Sequence, residues 1–587
     1  MRLEQQQYAS SRERRQTFSV CRTAERHLLA WGEGKLTATR LQGHMDSFIR
    51  DVRDMGVEPA AIAERLARIG SGDNPSNCQY NLLRLMGSVC GLDSLLTGTE
   101  GDISISLMPS DMFHLIHSGR RGLFGSSFGA DKAVLRNFWS SLFSSAEGAK
   151  LKAAHPFLWN KSPKDLEACI PCSLHVDAAP FSKKKSVDCS CWGSVVGRGN
   201  DLETRFLSSG QVAEAGRSKD SGSQYWGEFF RDFERCESGL LRSGEAMAQD
   251  SDGTLWTSTL LFGKADLKEL CESWGLKSYK AGEEGEVCPW CLADRRLVVD
   301  GGLPYTDLRR CAGWRPTEAA MTNSEFVARV KVGHPVVASR YFNKWFVRQD
   351  TMHTMDHRGV TAILGGSLFV ELIRKEARLG PNQEVRLQSI NVKIDKYFEA
   401  HTVSSQLKNI RVENLTLDGK FSSWAVLHGP IVKAANTRHT APILYELACD
   451  FFSSGEAEPT AIRTVCAELC HFYHIIYGAG YFLTASEKGE LGESLLILGV
   501  NLQRLRGWSH ARGEFSWWIS PKVHYAQHFP LAADLINPRF TQCYCEESMM
   551  GRISSIWESC ASGPYARTIQ RAALLRYLTV LVIELRL

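Results

Sequence analysis

The stretch "CSLHVDAAPFSKKKSVDCSCW", residues 172–192, decides the fold. Apolar residues alternate with polar ones up to Asp177, and the alternation resumes after a polar turn, which predicts a β-hairpin. The run "LETRFLSS", residues 202–209, predicts a third strand of the same sheet. Asp177 ends the first strand as a lone acid, directly before a turn that contains Lys183, Lys184 and Lys185.

Composition limits the classes of protein that this chain can be. Its 587 residues predict several domains, and 43% apolar residues are ample for packed cores. The net charge of +4 gives no global argument for a nucleic-acid partner, so such an argument needs local patches. Eighteen cysteines and a polar start without a signal-peptide pattern indicate a reducing compartment, and no apolar run reaches the roughly 18 residues of a membrane span. We expect a soluble, non-secreted protein of the nucleus or cytosol without membrane contact.

The pattern along the chain predicts an α/β (α+β) fold whose sheet is interrupted by a long helical segment. After the predicted hairpin, "GTLWTSTLLFGKADLKELCESWGL" (253–276) is typical of a strand followed by a helix, with Asp266 at the junction. The predicted divisions are a polar tail (1–30), an N-terminal helical region (31–150), the first part of the core (151–275), a mainly helical insertion with a C-x-x-C motif (276–535), and a C-terminal helix that completes the core (536–587).

Three acids of this pattern are candidates for catalysis. Asp177 and Asp266 each end a predicted strand, so they can face each other at one edge of a sheet, and Glu547 at the start of a late helix can join them. Three carboxylates suit Mg²⁺ or Mn²⁺, and two such ions about 4 Å apart promote phosphodiester chemistry. Ribonuclease H-like nucleases have this arrangement. Glu546 directly precedes Glu547, and the pattern leaves open which of the two is the third acid.

The order of short motifs resembles that of eukaryotic cut-and-paste transposases of the CACTA (En/Spm-like) type. The motifs are "LHVDAAPFSKKKS" (174–186), "ADLKELCESWGLKSYKAGEEGEVCPWC" (265–291), "DTMHTMDHRG" (350–359) and "NPRFTQCYCEESMMGRI" (537–553). One departure is "GKAD" before the second acid, where the family pattern has a Gly-Asp pair. The matching positions are Asp177, Asp266, Cys288 with Cys291, Asp350 with His353, and Glu547.

This resemblance implies a ribonuclease H-like mixed sheet and a three-carboxylate (DDE) site that cleaves DNA and transfers strands with Mg²⁺ or Mn²⁺. It implies double-stranded DNA at element ends as the partner, a nuclear location, and a homo-oligomer. The alternative is a domesticated transposase that has lost catalysis and serves as a nuclear DNA-binding or scaffold protein. A helical scaffold with one zinc knuckle is a third hypothesis.

A zinc site is predicted separately from cysteine spacing. Cys288 and Cys291 have the two-residue spacing that lets two thiolates bind one zinc, and His353 is the expected further ligand. His524 and His528 share one helical face, but without the Glu of a metalloprotease motif we favour two packed or hydrogen-bonded histidines. Other ligand candidates are Cys311, Cys466, Cys470, His471 and His474.

The lysine run has two interpretations of equal weight. Lys183, Lys184 and Lys185 could attract DNA phosphates near the acids or act in a nuclear signal. They could equally be a solvated turn.

Overall fold

A five-stranded mixed sheet lies at the centre of the molecule, with strand order β5-β4-β3-β6-β7. The structure is a computed structural model that describes residues 21–55, 58, 60–69, 75–98, 105–120, 122–182, 185–212, 219–272, 274–276, 285–330, 335–453, 455–561 and 566–587. The strands are β1 (Leu96–Thr97), β2 (Ser106–Leu107), β3 (Cys169–Pro180), β4 (Ser186–Ser194), β5 (Phe206–Val212), β6 (Thr257–Ala265) and β7 (Val347–Gln349). The first two form a separate small antiparallel pair.

The predicted hairpin is confirmed. β3 pairs antiparallel with β4, with Asp177 opposite Cys189, and β4 pairs antiparallel with β5. The prediction that Asp177 ends the first strand is wrong, because the pairing with β4 continues to Pro180. β6 lies on the other side of β3 and runs parallel to it. β3 is therefore the central strand, which explains why its first eight residues are all buried.

The fifth strand lies inside the segment predicted as the helical insertion. β7 pairs parallel with β6, with Ala265 opposite Gln349. Three residues are too short for a periodic pattern, so only the neighbouring strand reveals this one. The sheet thus takes a strand from beyond residue 275, where the sequence placed the end of the first part of the core.

Helices surround the sheet and form most of the rest of the described chain. Before and between the strands they are α1 (Arg22–Gly32), α2 (Ala38–Asp54), α3 (Ala61–Ala67), α4 (Pro75–Arg84), α5 (Pro109–His117), α6 (Leu123–Phe128), α7 (Lys132–Ser144), α8 (Ala146–Ala154), α9 (Asp201–Thr204), α10 (Lys219–Glu237), α11 (Leu267–Glu272), α12 (Arg315–Ala320) and α13 (Asn323–Ala328). After β7 they are α14 (Thr351–Met355), α15 (Val360–Lys375), α16 (Gln383–Ala400), α17 (Ala434–His439), α18 (Ala441–Phe451), α19 (Ala457–Gly478), α20 (Ala485–Ala511), α21 (Pro521–Ala526), α22 (Phe529–Ala532), α23 (Tyr544–Cys560) and α24 (Ala566–Leu585). No helix of the described residues is long and apolar enough to cross a membrane.

The buried apolar side chains form two clusters. The first joins the N-terminal helices, the sheet and the two last helices. The second is built almost wholly from residues between Met355 and Ala533. The long segment between Asp266 and Glu547 therefore brings a core of its own, which leaves the sheet free to close with the late helix α23.

Candidate metal centres

Asp177 and Asp266 end up side by side because their strands are parallel neighbours. Val176 of β3 is in register with Ala265 of β6, and each of the two acids directly follows its paired residue. Neighbouring strands lie about 4.8 Å apart, so the two backbones bring both acids to the same edge of the sheet. Asp266 also caps α11, since its Oδ1 accepts a hydrogen bond from the Glu269 amide at 2.6 Å.

Glu547 reaches this edge from helix α23. The helix packs against β3 and β4, and the Ser554 hydroxyl donates to the Pro180 carbonyl at the end of β3. Glu547 lies in the first turn of the helix, where a negative charge meets the positive end of the helix dipole. Asp177, Asp266 and Glu547 are called the acid cluster below.

Burial and neighbouring carboxylates change the pKa values of the acid cluster. Burial raises the pKa of the Asp177 carboxyl to about 7, and the neighbouring carboxylates of Glu547 and Asp266 add to the rise. The pKa of Glu547 is also raised, chiefly by burial, with Asp350 and Asp266 reinforcing the shift and His353 opposing it. Three like charges thus lie within interaction range, and a bound cation would relieve their repulsion.

An Asp–His pair stands beside Glu547. Asp350 caps α14 by accepting the amides of Met352 at 2.9 Å and His353 at 3.1 Å, and it also hydrogen-bonds His353 Nδ1. Burial disfavours both charges, but their mutual attraction prevails, so the pKa of Asp350 is lowered and the pKa of His353 is raised. His353 Nε2 lies 3.6 Å from Glu547 Oε1, so this imidazole orients the third acid.

Glu546 and Glu547 have different surroundings. The Glu546 side chain is 1% exposed and its Oε1 lies 2.5 Å from Arg205 Nε and 2.9 Å from Lys264 Nζ. These two cations outweigh burial and lower the pKa of Glu546 well below its usual range. The Glu547 side chain is 40% exposed. Glu546 is therefore an internal counterion, and Glu547 is the residue that faces the other acids.

A small cavity adjoins the acid cluster. Asp350, His353 and Lys522 line it, together with the residues on either side of Asp266. Lys522 Nζ donates to the His357 carbonyl at 2.6 Å. Burial lowers the pKa of Lys522 to about 8, although the carboxylates of Asp266 and Asp350 partly oppose that shift. A cation thus faces the acids across the cavity.

The second centre, called the Cys/His cluster below, consists of four buried side chains. One ligand atom from each of Cys288, Cys291, His524 and His528 lies within 4.8 Å of all the others. Cys288 Sγ is 3.2 Å from His528 Nε2, Cys291 Sγ is 3.3 Å from His524 Nε2, and the two Nε2 atoms are 3.2 Å apart. Two thiols and two imidazoles at these distances match the edges of a tetrahedral zinc site.

The surroundings hold these four side chains in place. His528 Nδ1 lies 2.8 Å from Glu318 Oε1, the carboxylate–histidine arrangement that orients an imidazole toward a metal. The Arg329 guanidinium donates to the carbonyls of Cys288 and Cys291, both at 2.9 Å. Burial raises the pKa of a thiol, but the Cys291 hydrogen bond and the adjacent His528 outweigh it, so the pKa of Cys288 is lowered.

The sequence identified the cysteine pair but selected a different histidine. His353 lies at the acid cluster, bound to Asp350, whereas His524 and His528 face the two cysteines. Their four-residue spacing on one helical face was the available signal. The link could not be read locally, because more than 200 residues separate the histidines from Cys291. The other ligand candidates, such as Cys466, lie outside this cluster.

Of the three lysines of the turn, Lys183 and Lys184 lie outside the described residues. Lys185 is exposed, and its backbone closes the turn by donating to Ser182 Oγ at 3.1 Å. Its side chain therefore faces solvent at the turn between β3 and β4.

Together these features define a mixed α/β protein with a five-stranded mixed sheet and a buried Cys2His2 cluster that could bind a metal such as zinc. Comparison of the sequence with protein-family models finds no match, and comparison with curated proteins finds none either.

Proposed function

We propose that the protein is a transposase-like enzyme that cleaves DNA and transfers DNA strands at its acid cluster, with Mg²⁺ or Mn²⁺ as the cofactor. One observation carries the proposal: Asp177 and Asp266 directly follow the last paired residues of two adjacent parallel strands, and Glu547 is near enough to raise the pKa of Asp177. A mixed sheet of this strand order, with an acid in its central strand, supports a ribonuclease H-like core.

The acid cluster offers the ligand type of a hard divalent cation, but within the described residues only the Cys/His cluster already brings its ligand atoms within 4.8 Å of one another. Asp177, Asp266 and Glu547 are partly exposed carboxylates, the ligand type that Mg²⁺ and Mn²⁺ prefer. Bound there, such ions would supply activation of a water or 3′-hydroxyl and stabilisation of the leaving oxygen. Burial is the main cause of the raised pKa values of Asp177 and Glu547, and the neighbouring carboxylates add to the rise, as is common at functional sites.

Other groups of the chain have positioning roles in this proposal. Asp350 hydrogen-bonds His353, and the other ring nitrogen of His353 lies next to the Glu547 carboxylate. The imidazole thus orients the third acid. Glu546 ties α23 to the sheet through Lys264 and Arg205. The helical segment with its own core then serves to hold DNA at the acids, and its separate packing supports a role as an insertion.

We also propose that the Cys/His cluster holds a structural zinc. Its four ligands are buried and leave no open position, which is typical of structural rather than catalytic zinc sites. The cluster joins the loop of Cys288 and Cys291 to the helices that precede α23. A zinc there would fix the chain just before it returns to the acid cluster.

The test is DNA nicking and strand transfer by the full chain in Mg²⁺ or Mn²⁺, with a supercoiled plasmid as substrate. Asp177→Ala should lower the rate about 10³-fold or more, because it removes a metal-binding carboxylate. Asp188→Ala, an exposed acid on neighbouring β4, is the matched control and should leave the rate unchanged.

Two outcomes would count against the enzyme. Nicking undiminished by Asp177→Ala would remove the acid cluster from catalysis. DNA binding in Ca²⁺ without cleavage in either Mg²⁺ or Mn²⁺ would leave the alternative, a nuclear DNA-binding protein that has lost its chemistry.

A further inference from the structure

A second cleft lies next to the cavity of the acid cluster. It opens to solvent between α8, β7 and α22. Trp290 and Gln349 line both the cleft and the acid-cluster cavity, so the two spaces are immediate neighbours. The cleft is called the Arg348 cleft below, after its most unusual residue.

Arg348 is a buried cation whose charge has no close counterion. The residue is 8% exposed, and its Nε has no hydrogen-bond partner. Within the part of the chain that the structure describes, its guanidinium has one hydrogen bond, from Nη2 to the Lys344 carbonyl at 3.1 Å, and no ion pair. Burial accordingly lowers the pKa of Arg348 to about 10, and only Glu147 opposes the shift.

The two carboxylates that line the cleft interact with groups other than Arg348. Glu147 lies 2.7 Å from Lys150 Nζ and also accepts a hydrogen bond from Trp345 Nε1 at 2.7 Å. Glu318 lies 2.8 Å from His528 of the Cys/His cluster. Neither carboxylate forms an ion pair with Arg348, and the charge of Glu147 acts on the guanidinium only from a longer distance.

A second cation borders the same space. Lys344 is 7% exposed, and its Nζ donates to the carbonyls of Glu318 at 2.9 Å and Met321 at 2.8 Å. These partners are neutral, so they hold the ammonium in place without cancelling its charge. Two fixed, buried cations therefore face a solvent-connected cleft with two indole rings in its wall.

We propose that the Arg348 cleft is an oxyanion site that takes a phosphate group, with Arg348 as its principal ligand. A planar guanidinium binds phosphate through two parallel hydrogen bonds, and the single hydrogen bond of Arg348, made by Nη2, leaves Nη1 available as a donor. A buried cation is strongly disfavoured until a counter-charge reaches it, and a phosphate would supply that charge. The phosphate comes either from free inorganic phosphate or from a DNA strand at the adjacent acid cluster, and only the second source rests on the proposed function.

The test measures binding of two probes to the zinc-containing full chain by calorimetry. One probe is sodium phosphate against sodium chloride at equal ionic strength. The other is a short single-stranded oligonucleotide with or without a 5′-phosphate, in Ca²⁺. The variants are Arg348→Met and Arg348→Lys, with Arg231→Met, at an exposed residue of α10, as the matched control.

We expect saturable phosphate binding that Arg348→Met weakens at least tenfold and Arg231→Met leaves unchanged. Phosphate should raise the Tm of the wild type but not that of Arg348→Met. Without phosphate, the Met variant should be at least as stable as the wild type, because it lacks the buried charge. Binding of the oligonucleotide that depends on both its 5′-phosphate and Arg348 identifies a nucleic-acid source, while binding of inorganic phosphate alone identifies a free oxyanion.

The absence of saturable binding of either probe to the wild type would overturn the site. So would undiminished binding by folded Arg348→Met. If that variant does not fold, Arg348→Lys decides, because a lysine lacks the paired donors and should bind several-fold more weakly; equal binding would again refute the site. Asp177→Ala should keep phosphate binding, so a failure of the cleavage proposal is distinguished from a failure of this one.

Discussion

The acid cluster and the Cys/His cluster differ in their exposure to solvent and in the charge of their side chains. The Cys/His cluster is fully buried, and its four ligand atoms lie within 4.8 Å of one another, three of the pairs at 3.2–3.3 Å. The acid cluster is partly exposed, and burial together with neighbouring carboxylates raises the pKa values of Asp177 and Glu547. A closed set of soft ligands favours stability, whereas an open set of repelling carboxylates costs stability and is typical of a functional site.

Both clusters depend on the same late part of the chain. His524 and His528 lie in and beside α21, and Glu547 opens α23 shortly afterwards. The two histidines contact cysteines from far earlier in the sequence. Glu547 likewise lies near Asp177 and Asp266, which are also far earlier in the sequence. The part of the chain that follows the long helical segment therefore contributes residues to both clusters.

The largest expected effect is on the closed cluster. Cys288→Ser should lose zinc and lower the free energy of unfolding by about 5 kcal/mol or more, because a structural zinc contributes directly to folding. Metal analysis and urea unfolding measure both changes. The exposed Cys449→Ser is the control and should change neither. Full zinc content in Cys288→Ser would contradict the assignment of this cluster.

Substitutions of the adjacent Glu546 and Glu547 should have different effects, one on stability and the other on activity. Glu546→Gln removes the counterion of buried Lys264 and Arg205, so we expect a loss of about 3–5 kcal/mol in the free energy of unfolding. Glu547→Gln should leave that free energy unchanged or raise it, because it relieves repulsion, while abolishing DNA nicking. Urea unfolding and the plasmid assay, run on both variants, check this. Similar stability losses in the two variants would refute the distinction.

The open cluster should make stability depend on pH. The pKa of Asp177 is about 7 in the folded chain against an ordinary 3.8, so the native state binds more protons between these values. The free energy of unfolding should therefore fall as pH rises from 4 to 7. Asp177→Asn should reduce this slope, to which Glu547 and the buried Asp356 also contribute. Without divalent metal, the change should stabilise the protein at pH 8 by up to about 4 kcal/mol.

Urea unfolding at pH 4.5 and pH 8, with Asp188→Asn as the control, measures this effect. Added Mg²⁺ should stabilise the wild type and leave Asp177→Asn nearly unchanged. A variant no more stable than the wild type at pH 8 would show that the acid cluster carries no such strain.

The smallest expected effect concerns the exposed turn. Lys185→Ala should weaken DNA binding slightly and reduce the salt slope of the affinity by about 1, because it removes one phosphate contact. Fluorescence anisotropy over a series of salt concentrations measures the slope. Lys396→Ala, an exposed lysine of α16, is the control. An unchanged slope for Lys185→Ala would favour the simple solvated turn.

Local patterns determined much of the fold. The alternation around Asp177 predicted the hairpin of β3 and β4, and the strand before Asp266 is β6. The helix that carries Glu547 was also predicted. Periodicity succeeds here because side chains of strands and helices alternate between water and core at fixed spacings.

Only the tertiary structure decided which distant residues meet. It paired the cysteines with His524 and His528 instead of His353, and it buried Glu546 while leaving Glu547 beside the other acids. It also added β7, which is too short to leave a pattern. The physical reason is that local spacing specifies the face on which a side chain lies, whereas its partner depends on how separate elements pack.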